Sequence, residues 1–157
     1  MVKTEIIVVE GKGKGLISKE FIPKGKIIFN FANENTKLIT EEEYLELVKG
    51  GDINAIRTGC KVMPGYFVLY NSTEPNKCEY INHSFNPTMA YYFGLCIASS
   101  DIQPGEELTI DYSFLVANTD EEIFIDAETN TKVTGVSNEE YYNRTIETMS
   151  ELLGRTY

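Results

Sequence analysis

Tryptophan is absent from the 157 residues, and histidine occurs once, as His83. One histidine excludes a metal centre built from several imidazoles. Cysteine occurs three times, at Cys60, Cys78 and Cys96, with no two placed as CxxC or CxC. An odd count at such spacings argues against a disulfide framework and against a cysteine-ligated zinc, so no metal is expected. No apolar run approaches the ~18 residues of a membrane span. Met1 to Glu10 lacks the basic start and long apolar stretch of a leader. The expectation is a soluble, intracellular protein with no membrane partner. Basic residues are few, 14 against 24 acidic ones, for a net charge of −10. Direct nucleic-acid binding is disfavoured, because neutralising phosphates takes Lys and Arg. Residues 1–113 hold 15 acids and 11 bases, a net −4, and residues 114–157 hold 9 acids and 3 bases, a net −6. The excess acid either keeps the chain in solution or attracts a basic protein or peptide.

Hydrophobic residues make up 42% of the chain, with ten Tyr and eight Phe, and the length fits one domain with a real core. Glu5 to Val9 reads as a β-branched strand, and Leu16 to Ser18 resumes an extended pattern. Lys26 to Phe31 follows the Pro23-Lys24-Gly25 turn as another strand. Thr40 to Lys49 reads as a helix, with Thr40 as N-cap, Glu43 as its capping-box partner and Gly50-Gly51 as the stop. Gly65 to Tyr70, a long Met89 to Ser99 and Glu107 to Tyr112 read as strands. In the tail, Ile123 to Val133 suggests a hairpin around Glu128-Thr129-Asn130. Ser137, with Glu140 three residues on, caps a last helix to about Leu153. The chain is expected to be mostly β.

Three polar clusters interrupt this pattern. Gly11-x-Gly13-x-Gly15 follows a strand. Phosphate-cradling loops place a helix directly after the glycines, and here Pro23 and Gly25 come first. Position 16 is Leu, so the dinucleotide spacing also fails. A plain turn and a backbone platform for a ligand without phosphate both remain. Asn82-His83-Ser84-Phe85-Asn86-Pro87 sits between the apolar Tyr80-Ile81 and Met89-Ala90-Tyr91-Tyr92. A buried polar turn must bond to something, either its own structure or a ligand. The third cluster runs from Asp101 to Tyr112, a turn and a strand ending in tyrosine.

In order, the clusters resemble the SET domain of protein-lysine N-methyltransferases, in a small form without flanking zinc clusters. Gly13-Lys14-Gly15-Leu16 is similar to the first motif of that family. Phe21-Ile22-Pro23-Lys24-Gly25 with Ile27-Ile28 is similar to its next turn and strand. Asn82-His83-Ser84-x-x-Pro87 is similar to its Asn-His-Ser motif, and Asp101-Ile102, Gly105 to Thr109 and Asp111-Tyr112 to its last motif. The resemblance covers about residues 10–114. It implies several small curved sheets around a pseudoknot, with a short insert helix and a C-terminal helix. Residues 1–114 would be the SET domain, with an insert at about 38–64, and residues 115–157 an acidic hairpin and helix.

By the same resemblance, the methyl donor is S-adenosyl-L-methionine, with lysine entering from the opposite face through a narrow channel. Lys12, Gly13, Lys14, Gly15, Asn82, His83, Tyr112 and Phe114 would bind the cofactor. Lys12 and Lys14 would act through backbone, and His83 would reach adenine mainly through backbone. Tyr112 is the implied catalytic tyrosine, and Phe31, Tyr66 and Ile110 would line the substrate channel. Phe114, Phe124, Tyr141 and Tyr142 are candidates for an aromatic lid. Three departures stand out: Thr88 where the family often has Asn, Phe31 without the hydroxyl expected there, and Ile110 where Phe or Tyr is usual. The resemblance implies methyl transfer to a lysine of a basic protein, a histone tail or a ribosomal protein. The alternative is a weak or inactive fold that binds peptide or protein, for which Phe31 is the discriminating residue.

Overall fold

The computed structural model describes residues 2–71, 76–118, 124–126, 128–152 and 154. The first β-branched run forms β1 (Thr4–Val9), which reverses through the glycines and pairs antiparallel with β2 (Gly13–Ser18). After the Pro23 to Gly25 turn comes β3 (Ile27–Asn30), and then β4 (Thr36–Thr40), which runs straight into α1 (Glu41–Lys49). The capping box forms as the residue types require. Thr40 Oγ accepts the Glu43 N–H at 3.2 Å, and the Glu43 carboxylate accepts the Thr40 N–H at 2.8 Å. A second helix, α2 (Ile53–Thr58), starts where the Asp52 carboxylate accepts the Ala55 N–H at 2.7 Å. Next are β5 (Cys60–Met63) and β6 (Tyr66–Tyr70), and β6 is the centre strand of a β4-β6-β5 sheet.

Two-residue β7 (Asn82–His83) precedes the hairpin of β8 (Met89–Tyr92) and β9 (Leu95–Ala98), which joins β3 in the order β3-β9-β8. Then β10 (Thr109–Ile110) returns to lie parallel to β7, pairing Thr109 with Asn82 and Ile110 with His83. A 3-10 turn follows over Tyr112–Phe114. The tail adds the short pair β11 (Phe124–Ile125) and β12 (Lys132–Val133), then α3 (Asn138–Leu152), whose start is capped by Ser137 Oγ accepting the Glu140 N–H at 3.1 Å.

The main core unites Leu16, Ile22, Met89, Cys96, Ile102, Leu108 and Ile110, and the tail contributes Val136 and Tyr141 to it. Val136 and Tyr141 therefore pack into the same core as the residues before 114. Tyr141 donates to the Val62 carbonyl at 2.9 Å, and the Val136 N–H bonds to the Ser113 carbonyl at 3.0 Å. A second small cluster joins Ile39 and Ala55 of the insert to Phe67, Leu69 and Ala117, with Tyr44 stacked on Phe67 at 4.0 Å.

Two extended segments differ from expectation. Met89 to Ser99 is a hairpin and not one strand. Phe93 and Gly94 both take positive φ, 52° and 76°, as a two-residue turn of the strand-matching hand requires. The unusual backbone at Phe93 is held by its N–H, which bonds to the Tyr141 hydroxyl at 3.0 Å. Glu107 to Tyr112 is regular only at Thr109–Ile110, because the Asp111 carboxylate accepts the Ser113 N–H at 3.0 Å and turns the chain out of the ladder. Mostly strands in small sheets, with few helices, is the architecture found.

Candidate active site

The parallel β7–β10 pair brings the second and third polar clusters side by side. The Ser84 N–H bonds to the Ile110 carbonyl at 3.0 Å, and the Tyr112 N–H donates to His83 Nδ1 at 3.1 Å. As Nδ1 accepts, the neutral imidazole carries its proton on Nε2. Burial holds His83 below its ordinary value, partly opposed by the nearby Asp111 carboxylate. Asn82 reaches the first cluster as well. Its Nδ2 donates to the Lys14 carbonyl at 3.2 Å and to Glu107 Oε1 at 2.7 Å. One amide thus ties all three clusters together. Gly15 is demanded by that knot, since a Cβ there would stand 2.6 Å from Glu107 Oε1 and 2.8 Å from Asn82 Nδ2.

Two cavities meet this junction. One, of about 270 Å³, is bounded by Gly11, Lys12, Asn82, His83, Tyr112, Ile125 and Asp126. Its polar equipment is mixed. Lys12 Nζ lies 3.4 Å from the His83 carbonyl oxygen and 2.6 Å from Glu128 Oε1. Asp126 accepts both the N–H and the hydroxyl of Thr129, at 2.8 and 2.6 Å, and these bonds draw its pKa down. Gly13, Lys14 and Gly15 adjoin the recess through the Lys14–Asn82 bond without forming its wall.

The other cavity, of about 310 Å³, is mainly apolar, with Phe31, Ile81, Ile110 and Tyr112 on its walls. Tyr112 therefore stands on both. Its hydroxyl donates to the Ile81 carbonyl at 2.6 Å, and burial pushes its pKa up to about 12. The thiols of Cys60 and Cys78 on the second wall are likewise raised by burial, to about 12 and about 11. The carboxylate there, Glu79, faces Arg57 Nε at 3.4 Å.

Two expected positions fall elsewhere. Tyr66 is at the far end of β6, half-exposed and opposite Thr40, so it does not reach the channel wall, whereas Tyr70 at the other end of the same strand does. Phe114 is buried against Tyr92 and Tyr141, with ring centroids at 5.2 and 5.8 Å, and is not on the wall of the polar recess. Tyr141 belongs to that same aromatic core and Tyr142 is exposed, so neither covers the recess. The side chain of Phe124 lies outside the described residues. The tail residues that do bound the recess are Ile125 and Asp126, neither of which the sequence marks out. An acid in an acidic tail carries no signal. Glu107 reads only as the start of a strand and part of the last motif, and its partnership with Asn82 spans 25 residues.

A family model for the SET domain matches residues 13–113. Among curated proteins, the chain is 30% identical over 118 residues to "Histone-lysine N-methyltransferase ash1" of Drosophila melanogaster, covering 70% of this chain and 5% of that protein. It is 30% identical over 123 residues to "Histone-lysine N-methyltransferase SETMAR" of Mus musculus, covering 69% and 40%. It is also 30% identical over 129 residues to "Histone-lysine N-methyltransferase ASHH3" of Arabidopsis thaliana, covering 76% and 35%. The chain thus spans well under half the length of these relatives. Among solved structures, the methyltransferase domain of human SETMAR superimposes with a TM-score of 0.53 at 23% identity, over 72% of this chain and 45% of that one. The Neurospora SET domain protein DIM-5, described as a histone lysine methyltransferase, gives 0.55 at 20%, over 77% and 55%. At these identities the likeness is one of fold.

Proposed function

The chain belongs to the SET-domain family, and from that premise we propose that it transfers a methyl group from S-adenosyl-L-methionine to the side-chain amine of a lysine in a basic protein. The observation that carries this reading is Tyr112 on the wall of both cavities, one polar and one apolar. The polar recess fits the donor by its chemistry. An ammonium, a carboxylate, an amide, a backbone carbonyl and an imidazole surround one space, as an amino acid joined to a nucleoside needs. Lys12, Asn82 and His83 would hold it, with Asp126 on the tail side. When bound, it supplies an electrophilic methyl carbon on a positively charged sulfur, open to in-line displacement by the lysine nitrogen.

The chain's own task is to deliver that nitrogen neutral and aligned. A lysine of pKa ~10.4 pays about 4.6 kcal/mol to be neutral at pH 7. Phe31, Ile81 and Ile110 surround it with apolar wall, and desolvation favours the uncharged amine. Tyr112 with its raised pKa, and thiols raised likewise, make poor bases, and the Glu79 carboxylate is engaged by Arg57 and the Asn76 N–H. The proton therefore leaves to water before transfer, and Tyr112 acts by placing an acceptor oxygen, so that catalysis comes mainly from positioning. The net charge of −10 favours a basic substrate, a histone tail or a ribosomal protein. Ile110, fully buried on the channel wall, has no hydroxyl to retain water, which favours di- or trimethylated product. The other reading, a peptide-binding fold with little activity, rests on Phe31 and its missing hydroxyl.

The test is incubation with methyl-labelled S-adenosyl-L-methionine and a panel of histones and ribosomal proteins. Label on a lysine is expected. Tight cofactor binding with no label on any basic protein favours the binding module, and no cofactor binding at all removes the reading.

A further inference from the structure

Phe31 leaves a gap in the proposed chemistry. It lies on the apolar wall where the amine must be oriented, and its ring offers no acceptor. Two tyrosines meet it edge-on, Tyr91 at 5.4 Å and Tyr70 at 6.4 Å between ring centroids. Tyr91 is committed elsewhere, since its hydroxyl donates to the Lys61 carbonyl at 2.8 Å and it is not on the cavity wall. Tyr70 is on that wall, together with Tyr112. We propose that Tyr70 orients the incoming amine, in place of the hydroxyl that Phe31 lacks. This rests on the lysine-transfer reading above and adds a residue to it.

The arrangement around Tyr70 suits an acceptor. Asn33 Nδ2 donates to its oxygen at 3.4 Å, and Cys78 shares its wall. A phenol oxygen accepts twice, so one lone pair is left for an amine N–H. Burial raises the pKa of Tyr70, so it stays neutral and positions without taking a proton. A second polar group stands on the same wall. Asn76 Oδ1 is fixed by the Cys78 N–H at 2.8 Å, and its Nδ2 is buried with no hydrogen-bond partner among the described residues. A buried amide N–H on an apolar wall calls for an acceptor brought by the substrate, such as a peptide carbonyl, which leaves the amine lone pair for attack.

The experiment compares wild type, Tyr70→Phe and the double variant Tyr70→Phe/Phe31→Tyr. It measures kcat and KM on a core-histone mixture and cofactor affinity by calorimetry. Tyr70→Phe is expected to lower kcat about tenfold or more with cofactor affinity kept within about twofold, and restoring a hydroxyl at residue 31 to recover most of that loss. A merely structural tyrosine would lose stability and cofactor affinity together and would not be rescued from position 31. Unchanged kcat in Tyr70→Phe, or a folded double variant with no recovery, overturns the assignment and leaves the transfer reading intact. A wild-type protein that binds cofactor but labels no lysine overturns the transfer reading and this one with it. Should Tyr70→Phe fail to fold, Asn33→Ala is the second variant. Losing the amide that holds the phenol oxygen is expected to lower kcat about threefold or more with cofactor affinity kept, and an unchanged kcat there counts against the proposal.

Discussion

Replacing Gly15 with alanine strikes the point where the three polar clusters join. The backbone at Gly15 is ordinary extended strand, so alanine meets no φ penalty there, and its effect is steric. The new methyl would stand 2.5 Å from Val9 Cγ2, 2.6 Å from Glu107 Oε1 and 2.8 Å from Asn82 Nδ2. Val9 and Glu107 can swing away, yet moving Glu107 breaks the 2.7 Å bond that orients Asn82. Overpacking typically costs about 1–3 kcal/mol, and a hydrogen bond to a charged group contributes about 1.5–3 kcal/mol. Because relieving the clash is what breaks the bond, the two overlap, and the loss expected is about 2–4 kcal/mol. Urea unfolding followed by circular dichroism would show it as a midpoint lowered by about 1–2 M. Calorimetry should show S-adenosyl-L-methionine binding weakened by about tenfold or more, since the Asn82 amide no longer faces the recess. A variant within about 0.5 kcal/mol of wild type and within about twofold in affinity would refute the steric reasoning and the role given to Asn82.

Acid should weaken the same junction. Burial depresses the His83 pKa, so as pH falls below ~6.5 the unfolded chain takes up that proton first and stability drops; protonation also removes the Nδ1 acceptor of the Tyr112 N–H. The charges facing the ring are Asp111, Asp126 and Lys12. Urea midpoints at pH 7.5 and 5.5 check this, and a flat profile contradicts it. Tyr141→Phe should cost about 2–4 kcal/mol, because the Val62 carbonyl and the Phe93 N–H both lose their partner beneath α3; thermal or urea unfolding measures it. Mass spectrometry of exhaustively treated histones should show di- or trimethyl-lysine, and monomethyl product alone would remove the role given to Ile110.

Local chemistry was legible wherever one short segment decides the outcome. Thr40 with Glu43 and Ser137 with Glu140 cap their helices as their types imply, and the glycine turn ends β1 where glycines gather. What could not be read depended on distant partners. The β4 strand exists because Ile39 is buried and pairs with Phe67, 28 residues on. Six-residue α2 has two exposed isoleucines and no readable apolar face, and only the Asp52 cap and the buried Ala55 fix it. The reversal at Phe93-Gly94 is masked by a non-glycine in a left-handed conformation that Tyr141 supports from 48 residues away. In the site, the resemblance brought Asn82, His83 and Tyr112 to one place, and the structure does bring them together. It also implied Tyr66 on the channel wall, whereas Tyr70, at the other end of β6, is the tyrosine that reaches the cavity, and which end of a strand meets a cavity is set by distant partners.

Tyr112→Phe is the most direct single measurement. Its hydroxyl is the polar atom of a side chain shared by both cavities. Turnover on a core-histone mixture should fall by about a hundredfold, about 2.7 kcal/mol of transition-state stabilisation, while calorimetric affinity for S-adenosyl-L-methionine stays within about threefold of wild type. Equal losses in turnover and affinity, or turnover that survives the substitution, would contradict a tyrosine placed at the meeting point of donor and amine.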